Sequence, residues 1–101
     1  MFIYNVTVSV DLDIEATWKE WMKKVHVPEV LSTGWFTDHK FLLLRTEGED
    51  DSGRTYAIQY FANEFRDIEA YLEQDAARLR AAHHQKFGNA VAAFRTILEE
   101  V

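Results

Sequence analysis

The chain has 101 residues, 17 acidic against 11 basic side chains, a formal net charge of −6 and no cysteine. That length suits one domain over 1–101, which buries roughly two thirds of the surface its unfolded chain exposes. Without cysteine there is no disulfide framework, thiolate nucleophile or Cys-based zinc site, and a reducing, cytoplasmic location is expected; the acidic balance disfavours nucleic acid, whose phosphates are held by concentrated Lys and Arg.

Met1-Phe2-Ile3-Tyr4 carries no basic segment and turns polar at Asn5, and no apolar run nears the roughly 20 residues of a membrane span. Neither export nor a membrane partner is expected. Met1 to Asp11 alternates, with Phe2, Tyr4, Val6, Val8 and Val10 on one face and Ile3, Asn5, Thr7 and Ser9 on the other, which predicts a strand. From Ile14 the spacing becomes helical through Trp18, Trp21, Met22 and Val25, with Asp11 or Asp13 as cap. Pro28 interrupts this helix, because the residue before proline avoids the helical region, yet proline also suits a first helical turn. The expectation is a bent helix ending at Gly34.

Trp35 to Thr46, built around Phe41-Leu42-Leu43-Leu44, reads as a second strand, and Arg54 to Phe61 as a third. Between them the segment from Glu47 to Gly53 holds two glycines and four acids, a solvated hairpin connection. A second helix follows, capped by Asn63 and carrying a sparse stripe of Phe65, Ile68, Leu72 and Leu79; acids crowd its start and bases its end, which complements the helix dipole. Gly88-Asn89 stops it, and Val91 to Leu98 forms the last strand.

The order β-α-β-β-α-β predicts an α+β, ferredoxin-like fold with a four-stranded antiparallel sheet and both helices on one face. The uncovered face is expected to carry Asn5, Thr7 and Ser9, with Thr37, His39 and Arg45 or their alternates, Gln59 and Arg95 from the other strands; a one-residue slip swaps faces. Ile3, Phe41 or Leu42, Phe61 and Ile97 would leave this face apolar, and monomers rarely expose such a patch. Two sheets packed across a two-fold axis, a homodimer through the open face, are therefore expected.

The segments Met1 to Val8, Trp18-Lys19-Glu20-Trp21-Met22, His26 to Gly34, Asp75 to Arg80, Lys86-Phe87-Gly88 and Phe94-Arg95-Thr96 resemble the short bacterial proteins grouped as domain of unknown function 4286. The resemblance spans nearly the whole chain. It implies a dimeric α+β barrel, like that of small monooxygenases of antibiotic biosynthesis, and no assigned activity.

Four groups are candidates for chemistry. His26, beside Pro28, is read as an acid/base residue, against the alternative of a helix C-terminal cap. Asn5, Gln59 and Arg95 are read as ligand-binding groups, with Arg95 anchoring an acidic or carbonyl-bearing molecule; the alternative for Arg95 is an intersubunit ion pair. His83 and His84 point about 100° apart and cannot share a metal from one helix face, and a His26, His83 and Glu29 set has no support in spacing. No metal or cofactor is expected. Arg78 and Arg80 read as partners of local carboxylates, and Trp18, Trp21, Tyr4, Tyr56 and Tyr60 as packing groups. An RNA-binding sheet would need exposed aromatics amid basic residues, which the Asn5-Thr7-Ser9 row opposes. No phosphate loop, serine elbow or zinc-protease helix is present.

Two functions follow. One is a homodimeric barrel that binds a small polar or acidic molecule between helices and sheet or within the barrel. The other is a non-catalytic interaction module whose polar groups serve dimer register alone. The first requires a concave site of about 300 Å³ or more where two or more of the candidate side chains converge; the second requires those side chains to be tied up in mutual hydrogen bonds with no cavity.

Overall fold

The computed structural model describes residues 1–45 and 53–101. Strands β1 (Phe2–Asp11), β2 (Asp38–Leu43), β3 (Gly53–Ala62) and β4 (Val91–Glu99) form one antiparallel sheet in the order β2-β3-β1-β4. Helices α1 (Glu15–Trp21), α2 (Val27–Ser32), α3 (Phe65–Gln74) and α4 (Ala76–Phe87) supply the two crossovers. This is the α+β ferredoxin-like arrangement expected from the order of elements. The acidic hairpin connection lies outside the described residues, apart from Gly53.

The core sits where the alternating row of β1 meets the helices. Tyr4, Val8 and Val10 are buried there with Tyr56, Ile58, Tyr60 and Ala62 of β3. Trp18 closes on Phe41 and Tyr56, and Tyr71 on Tyr4 and Phe36. β2 is shorter than expected, and Trp35 and Phe36 precede it; Phe36 is packed in the core.

The first crossover bends by a specific device. Between α1 and α2 the chain makes a π-helical turn over Met22–His26, in which the Val27 N–H donates to the Met22 carbonyl. Buried positions on this segment are Trp18, Met22, Val27 and Val30, so the apolar stripe takes a five-residue step from Met22 to Val27. An α-helix would rotate Val27 away from Met22; the wider turn keeps both on the core face, and Val25, expected on the stripe, turns outward. Pro28 then enters α2 in its first turn, where its missing N–H costs nothing, and Gly34 ends the segment at φ 86° as expected. Asp11 precedes a 3₁₀ turn over Leu12–Ile14 but makes no side-chain cap bond.

The second crossover departs from the expected single helix. Its cap is Glu64 rather than Asn63: Glu64 and Asp67 form a reciprocal capping box, with the Glu64 N–H donating to Asp67 Oδ2 at 3.3 Å. The helix breaks at Asp75, whose carboxylate accepts from Trp35 Nε1 at 3.1 Å and Arg78 Nη2 at 2.9 Å. The buried row is Ile68, Tyr71, Ala76, Leu79 and His83, whereas Phe65 and Leu72 lie at the surface.

Register settles the two faces of β4 and β2, and corrects the expected assignment. Val6 is opposite Arg95, Tyr4 opposite Ile97, Tyr60 opposite His39 and Ile58 opposite Phe41, so these partners share the helix-facing side. Asn5 is opposite Gln59 and Thr96, and Thr7 opposite Phe94, on the open side. The open face therefore carries Ile3, Leu42, Phe61, Phe94 and Leu98 around Asn5, Thr7, Ser9 and Gln59, and lacks Arg95, His39 and Ile97. Thr37 lies before β2 and donates to the Phe61 carbonyl at 3.3 Å, and Arg45 lies beyond the end of β2.

Candidate functional site

The π turn sets the position of His26. It is the last residue of that turn, and its ring stacks on Trp21 at 5.1 Å between centroids and lies 5.7 Å from His83 of α4. His83 is buried on the row that also holds Leu79 and Phe87, while its neighbour His84 is exposed. The indole Nε1–H of Trp18 donates to His83 Nε2 at 3.0 Å. His26 Nδ1 is buried and has no hydrogen-bond partner among the described residues.

Burial, then the neighbouring His83 and Arg95, push His26 down to about 4. Burial, then Arg95 and His84, push His83 down to about 4 as well. Both rings are therefore neutral near pH 7. Burial also raises the phenols of Tyr60 and Tyr71, which stay protonated.

Beneath the histidines, between helices and sheet, lies an inner cavity of about 30 Å³. Its polar lining is Tyr4, His26, Tyr60, Tyr71, Arg80 and Arg95, set among Val6, Met22, Val30 and Ile58. That volume holds about two waters, or the two oxygens of a carboxylate. Arg80 and Arg95 also line an outer cleft of about 230 Å³, together with His83, His84, Gly88, Val91 and Ala93. Arg80 Nη2 donates to Tyr4 Oη at 2.7 Å. Arg80 is exposed and Arg95 half-buried, and Arg95 Nε is buried without a partner among the described residues. No carboxylate lines either space among the described residues.

Of the residues expected from sequence to act together, the structure joins His26 and Arg95 and separates Asn5 and Gln59. The latter two are on the opposite face of the sheet, where Asn5 Nδ2 donates to Thr7 Oγ1 at 3.1 Å and Thr96 Oγ1 at 3.3 Å. Arg78 pairs with Asp75 as expected, but Arg80 reaches across to Tyr4 instead of a local carboxylate. Sequence reasoning considered His83 beside His26 only as part of a metal set without support in spacing, and missed Arg80 and Tyr4 as members of the site. Only the four-residue spacing Leu79, His83, Phe87 carried a signal, marking His83 as inward. His26 and His83 meet, but Glu29 is exposed, and the described residues contain no cluster of three His, Asp or Glu able to hold a metal. No described helix is long and apolar enough to cross a membrane.

Solved structures with the same fold include an ethyl tert-butyl ether d (ethd) family protein from Bacillus halodurans, 14% identical, with a TM-score of 0.68 and 100% of both chains covered. A putative antibiotic biosynthesis monooxygenase from Nitrosomonas europaea is 14% identical, with a TM-score of 0.67 over 100% of this chain and 99% of that one. A dimeric ferredoxin-like protein from an uncultured marine organism is 16% identical, with a TM-score of 0.63 over 99% and 98%. At such identities the likeness is one of fold. Among curated proteins no sequence matches. The sequence matches the model of one family along its entire length, residues 1–101, and the chain belongs to that family, the domain of unknown function DUF4286.

Proposed function

We propose that this protein is a homodimeric, single-domain cytoplasmic barrel that binds a small anionic molecule in the cleft between its helices and sheet. The observation that carries the reading is the pair Arg80 and Arg95, which line both the inner cavity and the outer cleft with no carboxylate among the described lining residues. Arg80 is exposed and Arg95 half-buried, but the Arg95 Nε is buried with no partner among the described residues, and a ligand carboxylate entering the inner cavity would supply one. His26, neutral and with a free Nδ1, is the acid/base group of the site, and at pH 7 it acts as the proton acceptor. Free polar atoms around a cavity favour this reading over a module whose side chains bond only one another.

The dimer rests on the open face. Phe94 is 61% exposed there, Leu42 and Leu98 42% each, and at the centre Asn5 is nearly buried with its Oδ1 unpartnered. A second sheet would cover the apolar groups and bring a donor to Asn5. Asn5 and Gln59 then serve the interface rather than the ligand. The dimeric neighbour of the same fold is in keeping with this.

Calorimetry with benzoate and with neutral benzyl alcohol tests the ligand class. Benzoate should bind and raise the melting temperature, whereas benzyl alcohol should not. Equal effects of the two would overturn the anionic reading.

A further inference from the structure

We propose that His83 is a specificity-determining hydrogen-bond donor of this cleft and that Trp18 is the positioning residue that makes it one. This deepens the reading of the cleft as a small-anion site and rests on it. An indole N–H can only donate, so the 3.0 Å contact from Trp18 Nε1 requires a lone pair on His83 Nε2. A neutral imidazole with Nε2 as acceptor carries its proton on Nδ1. Charging the ring would place a second N–H against the indole, and Trp18 is 0% exposed, with no water to relieve the clash.

The Nδ1–H has no protein partner among the described residues, and the His83 ring lines the outer cleft beside Arg80 and Arg95. Three donors, His83 and Arg80 from α4 and Arg95 from β4, thus line one space with no carboxylate among its described lining residues. Such a set selects a ligand that offers only acceptors, a carboxylate or similar oxyanion, over an amide or alcohol that brings its own donors. A phenylalanine at position 18 would fill much of the same space against Phe41 and Tyr56; what the indole adds is the N–H that sets the tautomer of His83.

The test is long-range ¹H–¹⁵N NMR of histidine-labelled protein at pH 7, with benzoate titrated into the wild type and Trp18→Phe. In the wild type His83 should show a protonated Nδ1 and a bare Nε2, and saturating benzoate should shift the Nδ1–H. Trp18→Phe should give a mixture of tautomers and weaken benzoate by about 5- to 10-fold. Arg95→Met should weaken benzoate without altering the tautomer. A changed tautomer with unchanged affinity, or an Nδ1 that ignores saturating benzoate, would overturn the inference while leaving the anion site standing. If Trp18→Phe does not fold, the response of the wild-type Nδ1 decides alone. If benzoate binds nowhere on the wild type, the anion site itself falls and takes the inference with it.

Discussion

Val6 of β1 and Arg95 of β4 stand directly opposite each other, so the one arginine of the last strand lies on the helix-facing side of the sheet, over the inner cavity. The side chain is half-buried, its Nε is buried with no partner among the described residues, and a buried donor left unpaired destabilises the ligand-free protein. Arg95→Met should therefore leave denaturant stability unchanged or raise it by up to about 2 kcal/mol. The same change should weaken benzoate at least about tenfold, the usual loss when a charge-assisted hydrogen bond is removed. A loss of stability of about 2 kcal/mol or more would mean that Arg95 holds the fold rather than a ligand.

The neutral histidine pair predicts the sign of the pH dependence. His26 and His83 titrate near 6.5 when unfolded and near 4 when folded, so between those values the unfolded chain binds more protons. Stability from this pair is complete above about pH 6.5 and is lost as the pH falls towards 4. Replacing His83 by Gln and His26 by Leu together should flatten that limb of a melting-temperature profile. A limb unchanged in the double variant would assign it to other groups.

The five-residue step at the π turn makes two valines only two positions apart unequal. Val27 is 3% exposed and Val25 37%. Val27→Ala should cost about 1.5–3 kcal/mol in chemical denaturation, and Val25→Ala less than about 1 kcal/mol. Equal costs would place the helical step elsewhere and remove the reason for the orientation of His26.

On the open face Phe94 lies at an exposed position opposite Thr7. A charge there cannot be buried between two sheets, so Phe94→Asp should convert a dimer to a monomer in sedimentation at micromolar concentration while circular dichroism stays unchanged. A wild type that sediments as a monomer would remove the proposed interface.

How much of this was legible depended on contrast along each element. In β1 apolar and polar residues alternate without a break, and the expected inner row of Phe2 to Val10 is the observed one. In β4 both rows are apolar, with Val91, Ala93 and Ile97 against Ala92, Phe94 and Leu98, so nothing local says which way Arg95 points. The pairing of β4 with β1 decides it. The first crossover misled for a related reason: a helical period of 3.6 applied from Ile14 onwards lands on Val25, whereas Pro28 and the five-residue step shift the stripe to Val27. His26 drew attention through its neighbour Pro28, but its partner His83 is 57 positions away along the chain.

The sequence by itself determined the order of elements, the ferredoxin-like architecture, the inner face of β1 and the candidacy of His26 and Arg95, because strand alternation, glycine and proline stops and residue chemistry act over a few positions. The tertiary structure alone decided that Arg95 joins His26, that Asn5 and Gln59 do not, and that Arg80, Tyr4 and His83 complete the cleft. Those outcomes depend on strand register and on how α4 packs against the π turn, which are set by contacts between residues far apart in the chain and leave no local periodicity to read.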